Sequence, residues 1–367
     1  MKPKLLYAIP LVGSIEWLKE NGPLNRYLKE FEYLQNNFDV FIISKDKKKF
    51  NLLNKTKHEA LPNLPLNFRN ILFLFFPFIK PKYFIESDVY YADHVSSAFP
   101  LIIAKFLFNK KVIVRFNWDW SYFVKREYNF FTYAFVSFLE RVSIKNADVV
   151  IATTPYLKEV VIKRYKFKKK IVVIPNWIDT DLFKPIKTKR KKNSIISIGR
   201  LVSQKDYTLL LKSIKHINNG YSVTLIGDGP EKKDLLSLAK KYNINLNIIN
   251  KVDNRQIPEY LNSHELFIST SRYEGNPKAV LEAMSCAMPI VATNVIGNSD
   301  IIINEDNGLI TDRDVRKLGL KITEIFKDDK LKNKISKNAR EYVINNCSFD
   351  EVFKKITNEL LMQVKNG

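Results

Sequence analysis

The segment SRYEGNPKAVLEAMSCAMPIVAT, residues 271–293, concentrates residue types that suit ligand chemistry. Asn276 followed by Pro277 predicts a helix start, because an Asn side chain accepts from orphan amides and proline suits the first helical position. Glu274 and Gly275 then fall in the turn ahead of the helix, and Glu282 lies about two turns further on. A helix N-terminus offers free N–H groups and the positive end of a dipole to an anion or to sugar hydroxyls. The same spacing also fits a plain cap at Glu274 and a solvated residue at Glu282.

Two further segments carry comparable signals. In ISIGRLVSQKDYTLLL, residues 196–211, Gly199 and Arg200 end a strand and Lys205 follows five residues after Arg200. Two such cations suit a pyrophosphate, the guanidinium as a fork of donors and the ammonium as a point charge; two solvated loop charges would look alike. In LIGDGPEKK, residues 225–233, Gly227 and Gly229 precede Pro230. The third glycine of a dinucleotide fingerprint would fall at Lys232, so the segment reads as a glycine turn that lets backbone approach a nucleotide, or as a tight turn alone.

The elements that must position these residues read as α/β. Short apolar runs alternate with amphipathic stretches, the signature of parallel sheets with helical crossovers. First-half strands are expected at 4–9, 39–44, 88–93, 111–116, 147–153 and 170–175, and second-half strands at 194–199, 221–227, 245–250, 265–270 and 289–293. Residues 22–36 read as a helix with Leu24, Tyr27, Leu28, Phe31 and Leu34 on one face. From Asp312 the chain reads as helical. The expected division is 1–185, a basic linker at 186–193, and 194–348, with a helix at 349–367 returning to the first domain.

With 367 residues, 46% hydrophobic and 27% charged, the chain has the composition of a soluble globular protein of two domains. Cys286 and Cys347 exclude a disulfide scaffold and fit a reducing compartment. The start MKPKLLYAIPLVGSIEW, interrupted by Pro10 and Gly13, reads as a buried strand rather than a signal peptide. No run reaches the length needed to span a bilayer. ILFLFFPFI at 71–79 comes nearest, and fits a buried segment or a membrane-surface contact. The net charge of +22 is uneven: residues 1–192 hold 35 basic and 17 acidic side chains, whereas residues 193–367 hold 25 and 21. The first half is built to face something negative.

GRLVSQK (199–205), GDGP (227–230) and EGNPKAVLEAMSCAMPIVAT (274–293), in this order, resemble the retaining glycosyltransferases of family 4, also called group 1, which have the GT-B fold. The resemblance extends through ADVVIATTPYLKEVV (147–161) and VIPNWIDTDLFKP (173–185). It implies two Rossmann-like doubly wound domains facing across a cleft, with the acceptor on the first and a nucleotide-diphosphate sugar donor on the second. Arg200 and Lys205 would bind the donor diphosphate. Glu274 would contact the donor sugar with help from the amides of Gly275, Asn276, Pro277's neighbour Lys278 and the turn around Pro277. Glu282 would bond the ribose hydroxyls, and Gly227 and Gly229 would approach the nucleotide. Gly22, ahead of the first long helix, matches the turn that approaches the donor phosphates, with Gly13 as a rival. The resemblance implies retention of configuration, attack and departure on one face, and no metal or other cofactor; Asp179-Thr180-Asp181 falls in a segment that is structural in the family.

Three departures from the family pattern fall at loop or packing positions: Asp206 and Ala287 where glycine is common, and Trp177 after Asn176. Many relatives carry a histidine near Asn117, where RFNWDW stands here. Asp119, the nearby carboxylate, fits an acceptor contact or a helix cap, and His94 fits an acceptor contact or a strand-end role. The basic clusters at 163–170 and 187–192 supply 11 of the first half's positive charges. Lys163, Arg164, Lys166, Lys168, Lys169 and Lys170 fit a solvated face or an anionic membrane surface. A cytoplasmic glycosyltransferase at the inner membrane face, acting on a glycan or lipid-linked acceptor, is therefore expected. A nucleic-acid-binding protein and a GT-B epimerase or phosphorylase are the alternatives; no helix-turn-helix, zinc or aromatic RNA-binding signature supports the former.

Overall fold

A computed structural model describes residues 2–11, 13–21, 24–54, 56–217, 220–250 and 252–367. The chain forms two compact units, residues 1–175 with 353–367, and residues 176–352.

The first unit is built on seven parallel strands: β1 (Lys4–Ala8), β2 (Asp39–Ile43), β3 (Thr56–Glu59), β4 (Val89–Ala92), β5 (Lys111–Phe116), β6 (Val149–Ala152) and β7 (Lys170–Val173), in the order β3-β2-β1-β4-β5-β6-β7. The strands read as apolar runs because helices cover both sheet faces. Leu6 and Ala8 of β1, for instance, share a core with Tyr90 and Ala92 of β4, Val112 and Val114 of β5 and the helix Ala98–Phe108. The helix Leu24–Leu34 buries Phe31 and Leu34, as its apolar spacing predicts.

The second unit has six parallel strands: β8 (Ser194–Ile198), β9 (Ser222–Ile226), β10 (Asn245–Ile249), β11 (Leu266–Ser269), β12 (Ile290–Thr293) and β13 (Leu309–Thr311), in the order β10-β9-β8-β11-β12-β13. Alternate residues point into separate cores on the two faces: Ile196, Ile290 and Ala292 into one, Ile195 and Val291 into the other. Both sheets are doubly wound, reversing direction between β1 and β4 and between β8 and β11, where open parallel sheets bind ligands.

The structure differs from the sequence expectation at four places. β3 is polar and lies at the sheet edge, and β13 is three residues long, so neither shows an apolar run. The first crossing between units falls at Pro175–Asn176 rather than at residues 185–186. Ile178 and Phe183 are buried in a core of the second unit, and the Ile178 amide bonds the Cys347 carbonyl at 2.7 Å, so the stretch after Pro175 packs there. The basic stretch at 186–193 therefore runs along the second unit, with the Lys191 amide on the Ser263 carbonyl at 2.9 Å. The return crossing lies inside the helix Phe349–Lys365, at Val352–Phe353; beyond it Phe353 packs on Tyr33 and Glu359 receives Lys170 at 2.7 Å.

Candidate functional site

A cavity of about 350 Å³ opens at the carboxyl ends of β8 and β11, the point of reversal in the second sheet. Ser197 of β8 and Gly199 just after it line it, as do Ser269 at the end of β11 with Thr270 and Ser271 beyond, and Glu274 through Val280 all contribute except Gly275. Lys205 and Tyr207 enter from the loop after β8, and Glu282 from the following helix.

Backbone bonds stitch the two loops together. The Arg272 amide donates to the Gln204 carbonyl at 2.7 Å, the Gln204 side chain to the Tyr273 carbonyl at 3.0 Å, and the Thr270 hydroxyl to the Lys205 carbonyl at 2.8 Å. Lys205 and Glu274 meet at 2.5 Å as a result, and the Ser271 hydroxyl donates to the same Glu274 oxygen at 2.5 Å. A Cβ at Gly199 would stand 2.9 Å from Lys205 Cε and 3.0 Å from the Tyr207 hydroxyl. Glycine there leaves the lysine its path into the cavity. Burial pushes the Tyr207 hydroxyl pKa up, so it stays protonated.

Asp206 takes up φ +48°, the region where glycine is at ease and Asp is tolerated. Its carboxylate receives Arg313 at 2.6 Å and Arg272 at 3.3 Å, and its carbonyl receives the Leu209 amide. The departure from glycine thus leaves the turn intact and adds two ion pairs behind Lys205.

The helix Lys278–Ser285 begins one residue later than the sequence suggests. Pro277 is its cap residue, no side chain caps it, and the Val280 and Leu281 amides bond the Pro277 carbonyl. Asn276 lines the cavity instead of capping, and the helix presents its N-terminal residues Lys278 and Ala279 there. Glu282, on the second turn, is buried against the cavity rather than solvated. Glu274 is fixed from behind by its amide bond to the Ile296 carbonyl at 3.1 Å and by Gly297, whose φ of +87° and missing Cβ keep it clear of Glu274.

Lys205, Glu274, Asn276, Pro277, Lys278 and Glu282 therefore converge, with Gly275 between two of them. Arg200 is exposed and does not line the cavity. Gly227 and Gly229 do not line it either: a Cβ at Gly227 would stand 2.0 Å from the Gly199 carbonyl oxygen, and one at Gly229 2.4 Å from that of Leu201. Their role is close packing against the backbone that carries Lys205. Gly22 lies outside the described residues. Gly13 is buried with its amide on the Pro10 carbonyl, and a Cβ would meet only ordinary contacts. Sequence reasoning passed over Ser197, Tyr207 and Ser269 to Ser271; three hydroxyl residues in a row at a strand's carboxyl end were the available signal.

In the first unit, the residues expected on the acceptor side are held by their neighbours. His94 is buried, its Nδ1 accepts from the Ser96 amide at 3.0 Å, and its Nε2 faces the Trp118 indole N–H. Burial pulls its pKa down to about 3, so it is neutral. Asn117 donates to the Asp93 carbonyl at 3.2 Å. Asp119 caps the helix Trp120–Glu127 through the Tyr122 amide and pairs with Arg164 at 2.6 Å. Those bonds commit Asp119 to the cap and withdraw Arg164 from the basic cluster. Lys163 likewise faces Glu159, Lys169 faces Asp148, and Lys170 faces Glu359, leaving Lys166 and Lys168 of the six as exposed cations for which no ion pair occurs among the described residues. Asp179 of the Asp-Thr-Asp triplet caps its own turn, accepting from the Asp181 and Leu182 amides.

Comparison with known proteins gives consistent matches. A family model described as Glycosyl transferases group 1 matches residues 179–342, and one described as Glycosyltransferase Family 4 matches residues 25–182. An uncharacterised glycosyltransferase of Methanocaldococcus jannaschii is 24% identical over 353 residues, covering 93% of this chain and 92% of its own. The Escherichia coli UDP-Gal:alpha-D-GlcNAc-diphosphoundecaprenol alpha-1,3-galactosyltransferase is 28% identical over 230 residues, 57% of this chain and 59% of its own. Among solved structures, Anabaena HepE in complex with UDP and glucose superposes with a TM-score of 0.75 at 17% identity, over 98% of this chain and 99% of its own.

Proposed function

The chain belongs to the group 1 glycosyltransferases of family 4 and has the GT-B fold, and from that premise we propose that it moves a sugar from a nucleotide-diphosphate sugar to a glycan or lipid-linked acceptor with retention of configuration. The observation that carries this reading is the meeting of Lys205 and Glu274, with Glu282 and the open helix start of Lys278–Ser285, in one cavity at the sheet's point of reversal.

Each group has a task there. Lys205 supplies positive charge where the departing diphosphate becomes more negative; Arg200, exposed and outside the cavity lining, would have to turn toward a bound donor to add a second. Charge fixed in advance costs no reorganisation during the reaction, which is why such groups give large rate effects. Glu274 bonds the donor sugar, and the N–H groups ahead of Lys278 and Ala279 favour an anion. Glu282 accepts from the ribose hydroxyls. Catalysis through these fixed charges supports a reaction that needs no metal. The diphosphoundecaprenol-linked acceptor named for the Escherichia coli relative and the UDP and glucose bound to HepE support a lipid-linked acceptor and a uridine nucleotide donor, and with them a role in surface glycan assembly.

Donor hydrolysis and thermal shift across uridine, guanosine and adenosine diphosphate sugars test the reading. One donor class is expected to raise the melting temperature and to turn over, with the α-linked donor giving an α-linked product by proton NMR and full rate retained in chelator. No shift and no turnover with any donor, or an inverted product, would sink it.

A further inference from the structure

The first unit carries an apolar surface that its fold does not require. Along the helices Leu66–Leu74 and Phe76–Ile79, Phe73, Leu74 and Phe76 fill the core, while Phe68, Ile71, Phe75 and Phe78 form a second stripe, each about half exposed or more. The helix Phe130–Asn146 repeats the pattern: Val136, Leu139 and Ile144 are buried, while Phe131, Phe135 and Phe138 stand outward, Phe131 at 81% exposure. Between these elements packs the helix Ala98–Phe108, with Phe106 exposed at 69%. Single exposed apolar residues are ordinary, whereas stripes on adjoining helices mark a contact surface.

Charge indicates what the surface meets. The one acid on these helices, Glu140, is buried; the other charges are Arg69, Lys105, Arg141 and Lys145. Lys80 and Lys82 follow the first stripe, and Lys125 and Arg126 precede the second; Lys80 faces Glu59, Lys82 faces Glu86 and Lys105 faces Asp148, while Arg141 and Lys145 are exposed cations for which no ion pair occurs among the described residues. Aromatic stripes with a basic fringe suit the headgroup region of an anionic bilayer, where rings enter the acyl boundary and cations face lipid phosphates. No helix among the described residues is long and apolar enough to cross a membrane, so the fitting geometry is one lying on the surface.

We propose that this helical face docks the chain on a bilayer bearing anionic headgroups, through the two phenylalanine stripes rather than through the cluster at 163–170. Four of that cluster's six cations face carboxylates, as Lys80, Lys82 and Lys105 do beside the stripes, so what sets the helical face apart is its exposed phenylalanines. The inference deepens the reading of a lipid-linked acceptor and rests on it for its purpose, although vesicle binding requires no sugar donor.

Sedimentation with phosphatidylcholine vesicles, with and without phosphatidylserine and at low and high salt, tests it. The wild type is expected to pellet with anionic vesicles, less in high salt and less with neutral lipid. The variant Phe131→Ser, Phe135→Ser, Phe138→Ser should bind at least about tenfold more weakly, since binding scales with the apolar area inserted. Lys166→Gln with Lys168→Gln should change binding less than about twofold, against about fivefold per lysine were that segment on the lipid. Circular dichroism and donor hydrolysis check that the variants fold; if the triple variant does not, Phe131→Ser and Phe75→Ser singly carry the comparison. A wild type that stays in the supernatant, phenylalanine variants that pellet like it, or a face that instead makes a dimer or binds another protein overturns the proposal. Lys205→Ala should pellet as the wild type while failing in transfer, which separates failure of docking from failure of the enzymatic reading.

Discussion

Lys205 and Glu274 stand 69 residues apart in sequence and meet at 2.5 Å at the carboxyl edge of the second sheet. Each side chain belongs to a different loop, and the loops brace one another: the Arg272 amide donates to the Gln204 carbonyl and the Gln204 side chain to the Tyr273 carbonyl. The pair neutralises two charges that would be costly to leave alone in a partly buried place. A donor diphosphate would take over the ammonium and leave the carboxylate to the sugar hydroxyls.

Removing either charge should slow the chemistry and, by leaving its partner uncompensated, lower the melting temperature as well. Lys205→Ala and Glu274→Gln are each expected to lower kcat by about 100- to 1,000-fold, the effect of losing one preorganised transition-state contact. The double variant should be little worse than either single one, because the two act as a unit. Steady-state kinetics alongside melting curves check this, and a single variant with ordinary turnover would remove the pair from the mechanism.

Gly297 offers a test of positioning without touching a charge. Its backbone at φ +87° disfavours any side chain, and a Cβ would sit 2.7 Å from Glu274 Cβ and 2.8 Å from its carbonyl oxygen. Gly297→Ala should displace the Glu274 turn, costing about 1–3 kcal/mol of stability for the strain and at least about tenfold in kcat for a displacement near 1 Å. Donor affinity carried by Glu282 should fall less than turnover. Equal losses in KM and kcat would point to general disruption instead.

Two positions where the family pattern commonly has glycine make a contrasting pair. Ala287 ends the helix Lys278–Ser285 at φ +52°, with its own amide on the Met284 carbonyl and the Met288 amide on that of Ala283. An alanine in this left-handed cap is strained by about 1–2 kcal/mol, partly offset in comparison with glycine by the freer unfolded chain that glycine gives. Ala287→Gly is expected to stabilise by up to about 1 kcal/mol. Asp206→Gly should do the reverse by about 1 kcal/mol, because it relieves similar strain but discards the bonds from Arg313 and Arg272. Urea unfolding of both variants settles the signs.

Much of this arrangement was legible in sequence, for identifiable reasons. Strands buried on both faces announce themselves as apolar runs, and helix starts by their small polar residues and prolines, so both sheets and the Glu274–Glu282 unit could be read. β3 could not, since the edge strand Thr56–Glu59 carries Lys57 and His58 where an interior strand would carry apolar residues. The roles of Gly227 and Gly229 were not legible either, because a glycine that spares a ligand and one that spares the Gly199 and Leu201 carbonyls look identical along the chain. Long-range partners were hidden for a similar reason. Nothing near Asp119 in sequence points to Arg164, and nothing near Lys170 points to Glu359.

The buried histidines of the first unit predict its acid sensitivity. Burial holds His94 down to about 3 and His58 to about 4, the latter despite nearby Asp46 and Glu59, which favour its charged form. In the unfolded chain each would take up a proton near pH 6.5. Between that pH and the folded values the unfolded state binds more protons, so the stabilisation is whole above about pH 6.5 and is lost as pH falls through this range. The loss amounts to about 1.4 kcal/mol per pH unit for each histidine. Hydrogen exchange of peptides covering β4 and β5, measured at pH 7, 6 and 5 and corrected for intrinsic rates, should show protection falling with pH. His94→Asn lowers protection at pH 7 by loss of packing, yet its pH slope should be shallower by about one proton. An unchanged slope in that variant would assign the acid sensitivity to other groups.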